Sequence, residues 1–207
     1  MCENTVFVKH YSGNFPVNTQ EIWRYAGYRG QPDDQLQELL DSVIGDLSDK
    51  LSCRVCYRVV ENFPFVTGSQ DLQNLLTDCE EIVIFAATVG LDVDRYIAKY
   101  QQVSATRALL AQAYGAERIE ALCDVFCAEF AGATRRFSPG YGDLPLETQR
   151  DLFSLLECGK HIGVSLTDSL LMMPSKSVTA IFGIGAGETA CVNKCDICRN
   201  AACQYRR

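Results

Sequence analysis

No stretch of the 207-residue chain approaches the ~20 consecutive apolar positions that a membrane-spanning helix needs, so no membrane partner is expected. Met1 to His10 has no long apolar run behind a basic start, and no secretion signal is read there. Basic residues are outnumbered, 19 Lys and Arg against 26 Asp and Glu, giving a net charge of -7. That balance argues against a nucleic-acid partner, because phosphate binding needs a basic surface in excess. Histidine is nearly absent. His10 and His161 each lack a carboxylate or cysteine at motif spacing, and both are read as non-catalytic. No Gly-x-Gly-x-x-Gly fingerprint lies between a strand and a helix; Gly183-x-Gly185-x-Gly187 resembles part of one, but cysteines follow it, and it reads as a flexible hinge.

What is present is the composition of an ordinary globular protein, 47% apolar and 22% charged, of a length that allows one domain with a sizeable core and a short appendage. The predicted location is the cytoplasm, where thiols stay reduced, so the eleven cysteines are not a disulfide framework. Some are plain core residues, since a free cysteine behaves as a small hydrophobe.

Thr5 to Lys9 reads as a first strand. Asn18 or Thr19 can cap a short helix through Trp23 and Tyr25 that ends at Gly27. Asp33-Asp34 opens a second helix, with Leu36, Leu39, Leu40, Val43, Ile44 and Leu47 at core-facing spacing. Ser52 to Phe65 reads as a strand containing Cys53-x-x-Cys56; residues three apart on a strand point to opposite faces, which disfavours a shared metal. A short helix runs from a Ser69 cap to Leu76, followed by a buried strand over Glu81 to Gly90. Asp92 or Asp94 starts a long helical region reaching Thr134, expected in two pieces broken at Gly115. Glu120 and Asp124, four apart, share one helical face. Leu146 to Cys158 is amphipathic and helical, and strands at Gly163 to Leu166 and Ser177 to Ile184 bracket Met172-Met173-Pro174. The two methionines fill core or line an apolar pocket. The strands do not alternate regularly with helices, so the predicted class is α+β: a single domain with a mixed or antiparallel sheet flanked by helices.

Between the helical region and the C-terminal strands lies Arg135-Arg136-Phe137-Ser138-Pro139-Gly140-Tyr141-Gly142-Asp143-Leu144-Pro145. It holds paired guanidinium groups, a Pro-Gly turn, an aromatic hydroxyl and an acid. Such a segment is either a solvated connection or a small-molecule site built on a rigid bend with exposed amides.

Arg136 through Gly140-Tyr141 resembles the Arg-x-x-x-Gly-Tyr signature of the activation domain of cobalamin-dependent methionine synthase. Ile162-Gly163-Val164-Ser165-Leu166-Thr167-Asp168-Ser169, Met173-Pro174 and Ser177-Val178-Thr179 are similar to the family's later segments, in the same order. Phe85-Ala86-Ala87-Thr88-Val89-Gly90 and Arg24-Tyr25-Ala26-Gly27-Tyr28 also resemble family stretches. The resemblance implies an activation-domain-like unit over 1–187 that binds S-adenosylmethionine. It implies support for reductive methylation of cob(II)alamin held by a partner, with a flavodoxin-like electron donor. On that reading Arg136 clamps the ligand carboxylate, Glu120 (or, a turn away, Asp124) meets its ammonium, Tyr141 orients the sulfonium end, and the amides at Gly140 and Gly142 bind sugar or carboxylate. No catalytic acid or base is required, and the family's N-terminal aspartate has no clear counterpart between Trp23 and Gly30.

The sequence carries no Asp-x-His-x-x-Gly corrinoid signature, so the expected partner is a separate corrinoid-binding methionine synthase or corrinoid methyltransferase, with this chain as a free-standing reactivation subunit. Residues 188–207 depart from the family. Cys191, Cys195, Cys198 and Cys203 could wrap zinc or an iron-sulfur cluster, both of which take four thiolates. Two other readings stay open: a metal-binding docking protein that uses this tail, and a methyltransferase acting on another acceptor.

Overall fold

The computed structural model describes residues 5–61 and 68–185. Its centre is a four-stranded sheet in the order β1 (Phe7–Tyr11), β2 (Cys53–Val60), β3 (Cys79–Thr88) and β6 (Ser177–Gly185), every neighbouring pair antiparallel. The fold is therefore α+β, and the sheet is antiparallel rather than mixed. A two-residue hairpin, β4 (Ser165–Leu166) with β5 (Met172–Met173), stands apart. The first strand begins two residues later than the sequence suggests, and the second is shorter, ending at Val60 with residues 62–67 outside the described set.

Both faces of the sheet are covered, and strict alternation sorts the side chains between them. Val55, Val83, Phe85, Ala87, Ala180 and Phe182 face the long helix α5 (Ala105–Cys127), packing on Ile119, Leu122, Cys123 and Phe126. Ile82, Ile84, Ala86 and Ile181 face α3 (Gln70–Leu76), α6 (Thr148–Leu156) and α7 (Cys158–His161). Cys53 belongs to the first core and Cys56 to the second, as a three-residue offset on a strand requires. Aromatic rings dominate the α5 side, with Phe85 and Phe126 at 4.9 Å and Phe126 and Phe130 at 5.3 Å between centroids. Each such buried ring stabilises the fold by roughly 1.5–3 kcal/mol relative to exposure.

A third core lies on the far side of α5, where α1 (Thr19–Tyr25), α2 (Asp34–Leu47) and α4 (Asp92–Tyr100) pack through Ile22, Leu40, Val43, Leu47 and Tyr96. The caps read from sequence are in place: Asn18 accepts from the Glu21 N–H, Asp33 from Leu36 and Ser69 from Leu72.

The long helical region is interrupted at Gln101 to Ser104, not at Gly115, and it ends at Cys127 rather than Thr134. Ser104 explains the restart, because its hydroxyl caps the Arg107 N–H. Gly115 is helical, and a Cβ there would stand 2.7 Å from Val93 Cγ1 and 2.9 Å from Lys176 Cγ. Close helix packing selects this glycine. Gly183 and Gly185 are also no hinge; both lie within β6, where a Cβ on Gly183 would collide with Cys79 Sγ. Gly187 lies outside the described residues.

Candidate functional site

The connection after α5 folds back along the free edge of β6 and acts as an irregular fifth strand. Thr134 N–H donates to Gly183 O at 2.9 Å, and Phe137 and Ile181 exchange backbone hydrogen bonds at 2.8 Å in each direction. Phe137 enters the core beneath α6. Its neighbour Arg136 is directed the other way, onto α5.

There Arg136 Nη2 donates to Glu120 Oε2 at 2.9 Å and Nη1 to Asp124 Oδ1. The i, i+4 spacing read from sequence places both carboxylates within reach of one guanidinium, so the structure brings Glu120, Asp124 and Arg136 together. The Arg136 side chain is only 9% exposed, against 37% for Glu120 and 71% for Asp124. Burial opposes its charge, but Cys123, Glu120 and Asp124 outweigh that and hold its pKa above the ordinary guanidinium value. Arg136 is thus a fixed positive charge at a sheet edge.

Helix α1 completes the surroundings. The pKa of the Tyr25 hydroxyl is pushed up to about 12, chiefly by burial and next by the charge of Glu120, the acid of the pair that this ring feels. Arg24 lies over the Tyr25 ring at 4.4 Å and bonds Glu21 at 2.5 Å. The stretch Arg24-Tyr25 drew notice in the sequence without a role. The similarity to the family's α1 stretch was the available signal, and the missing link was a contact spanning some ninety residues.

The next turn is stiffer and less open than the sequence implies. Gly140 N–H bonds Leu144 O at 2.9 Å, Tyr141 N–H bonds Ser138 O at 3.1 Å, and Leu144 N–H bonds Tyr141 O at 3.0 Å. Gly140 (φ +85°) and Gly142 (φ +55°) take left-handed conformations that let the turn close, so the Gly140 and Tyr141 amides serve the turn itself. Tyr141 presents its ring outward, 67% exposed. Asp143 is a helix cap: its carboxylate accepts from Ser69 Oγ and from the backbone N–H of Gln70 at 2.7 Å, and these bonds hold its pKa below the usual carboxylate range.

The other candidates separate from this site. Met172 and Met173 form β5 themselves; Met172 packs toward the α6 core and Met173 is 56% exposed. His10 is exposed, and His161, expected to have no carboxylate at motif spacing, lies 3.6 Å from Glu157 four residues earlier on the same helical turn. Among the described residues no group of three or more His, Cys, Asp or Glu side chains could hold a metal, and no helix is long and apolar enough to cross a membrane. Cys191, Cys195, Cys198 and Cys203 lie outside the described residues. A cleft of about 250 Å³ lined by Asp46, Asp92, Tyr96 and Tyr100 contains none of the Arg136 cluster.

A sequence profile of the family described as "Vitamin B12 dependent methionine synthase, activation domain" matches residues 113–188, a segment that includes Glu120, Asp124, Arg136 and Tyr141. The chain is similar to the methionine synthase activation domain. The crystal structure of the MetH reactivation domain bound to AdoHcy superposes with a TM-score of 0.63 at 17% identity, covering 86% of this chain and 78% of that one. At that identity the likeness is one of fold, and it extends the activation-domain architecture well beyond the segment matched in sequence. No curated protein matches the chain.

Proposed function

We propose that this chain binds S-adenosylmethionine at the Arg136 cluster. It acts as a subunit separate from the corrinoid carrier, in the reductive methylation that restores a cobalamin-dependent methionine synthase or a related corrinoid methyltransferase. The observation that carries this reading is the pairing of one buried guanidinium with two carboxylates inside the activation-domain segment. The AdoHcy bound by the solved reactivation domain supports the ligand class.

The electrostatics favour the sulfonium over its demethylated product. One guanidinium and two carboxylates leave the cluster with one net negative charge. S-adenosylmethionine, with a carboxylate, an ammonium and a sulfonium, is net positive by one, whereas AdoHcy lacks the sulfonium charge. Arg136 would bind the ligand carboxylate through its fork, and the acid thereby released, Glu120 or Asp124, would receive the ammonium. Charges stay paired throughout that exchange. The outward ring of Tyr141 offers a face for the sulfonium, on a turn fixed by Gly140 and Gly142.

The ligand supplies the methyl group and a partner's cobalt accepts it, with an electron from a flavodoxin-like donor. This chain's residues orient rather than transfer protons, consistent with a site built without a histidine base. Cys191, Cys195, Cys198 and Cys203 belong to the proposal as a thiolate site for zinc or an iron-sulfur cluster.

The test is reactivation of a corrinoid methionine synthase that lacks its own activation domain and is poised in the cob(II) state with reductant and S-adenosylmethionine. Activity should return when this chain is added and fail to return with Arg136→Ala. No recovery with the parent chain would overturn the proposal.

A further inference from the structure

A second basic group lies on the opposite face of the sheet from Arg136. Arg54, on β2, is partly buried; its Nε is closed off from solvent and has no hydrogen-bond partner. Neither terminal nitrogen makes a hydrogen bond or an ion pair with any described residue. A guanidinium carries five donors, and buried donors left unmade are rare enough to require an explanation.

That Nε stays unpaired on the closed side, and what the surroundings leave open is the end of the fork that carries Nη1 and Nη2. Arg54 faces the side of the sheet covered by α7 and the segment after it, since its neighbours in alternation, Cys53 and Val55, face α5. A Cβ built on Gly163 would stand 3.7 Å from Arg54 Nη1 and 3.9 Å from Nη2. Gly163 itself is exposed and at φ +70°, a conformation that favours glycine. The open end of the guanidinium therefore lies beside a residue with no side chain to cover it. The Gly163 N–H also donates to no described group, while its neighbours Ile162 and Val164 both donate to Cys158 O. Across the sheet, His10 is the register partner of Arg54. Partners in register project from the same face, so the His10 ring adds a donor at the rim. The acid of this region, Glu157, is engaged with Lys160 and His161.

We propose that Arg54, Gly163 and His10 form a receptor for a small oxyanion, a carboxylate or a phosphate, distinct from the Arg136 cluster. Nη1 and Nη2 grip two oxygens in parallel, and the Gly163 N–H and the His10 ring take those remaining. The packed stem fixes the fork in advance, and the closed-off Nε side lowers the local dielectric, which strengthens the bonds made at the open end. This site does not depend on the function proposed for Arg136.

The experiment is a titration of the full chain with inorganic phosphate, and separately with acetate, at constant ionic strength. It follows the arginine Nε resonances and, in parent and variants alike, the Gly163 amide resonance, with sodium chloride as the control. A saturable shift of the Arg54 signal with phosphate, acetate or both supports the receptor, and the relative affinities identify the anion class. Arg54→Gln should weaken binding by about tenfold or more, as expected for loss of a charge-assisted bidentate contact. Arg54→Lys, which keeps the charge but loses the fork, should lie between Arg54→Gln and the parent. An Arg54 signal that moves no more with phosphate or acetate than with chloride, or equal affinity in a folded Arg54→Lys variant, would overturn the proposal.

Discussion

Gly115→Ala sets helix propensity against packing at one atom. In the middle of an exposed helix, alanine for glycine stabilises by about 1 kcal/mol. Gly115 is buried within α5, and the added Cβ would stand 2.7 Å from Val93 Cγ1, 2.9 Å from Lys176 Cγ and 3.1 Å from Lys176 Cδ. Val93 is fully buried, and its branched methyl cannot swing aside. Overpacking of this kind costs about 1–3 kcal/mol, so it should cancel the propensity gain and leave a net loss of up to about 2 kcal/mol. Val93→Ala removes the nearest atom. In that background Gly115→Ala should become neutral or stabilising, with a coupling energy of about 1–2 kcal/mol. Urea unfolding of the parent, the two single variants and the double variant measures every leg of the cycle. If Gly115→Ala stabilises the parent by the full propensity increment, the close approach of α4 and α5 is wrong.

Further outcomes concern the loop, the acid pair and the tail. Asp143→Ala should destabilise at neutral pH by uncapping α3. Because the folded-state pKa of Asp143 is depressed, its contribution is present above the unfolded-state pKa and lost as pH falls through the folded value. The stability gap between variant and parent, followed by thermal melts, should therefore close in acid. Glu120→Gln should weaken S-adenosylmethionine binding by about tenfold or more, and the more exposed Asp124→Asn by less, as fluorescence titration would register. Protein purified without oxygen should carry zinc or iron by elemental analysis and lose it when Cys195 and Cys198 are changed to serine; equal metal content in that variant would exclude the tail as the site.

Local chemistry made the elements legible. Asn18, Asp33 and Ser69 announce helix starts because each carries a side-chain acceptor where N–H groups are unpaired. Alternation along β2 separates Cys53 from Cys56. The i, i+4 acids on α5 were readable as one face, and the signature around Arg136 drew them into the same site. What stayed hidden was long-range. Nothing local marks Thr134 to Phe137 as a sheet edge, because its partners are Ile181 and Gly183. Gly115, Gly183 and Gly185 look like breaks in sequence but are selected by atoms elsewhere in the chain that leave no room for a Cβ. The capping role of Asp143 has no local mark either, because the helix it caps begins more than seventy residues earlier. Tyr25 joined the site only once α1 was packed against α5.

Arg136 and its two acids are the proposed sulfonium-ligand site. Calorimetric titration of the parent chain with S-adenosylmethionine, repeated with AdoHcy and with Arg136→Ala, tests it most directly. The expected result is one saturable site that prefers the sulfonium and is lost in the variant. Binding of equal strength in Arg136→Ala, or none by the parent, would contradict it.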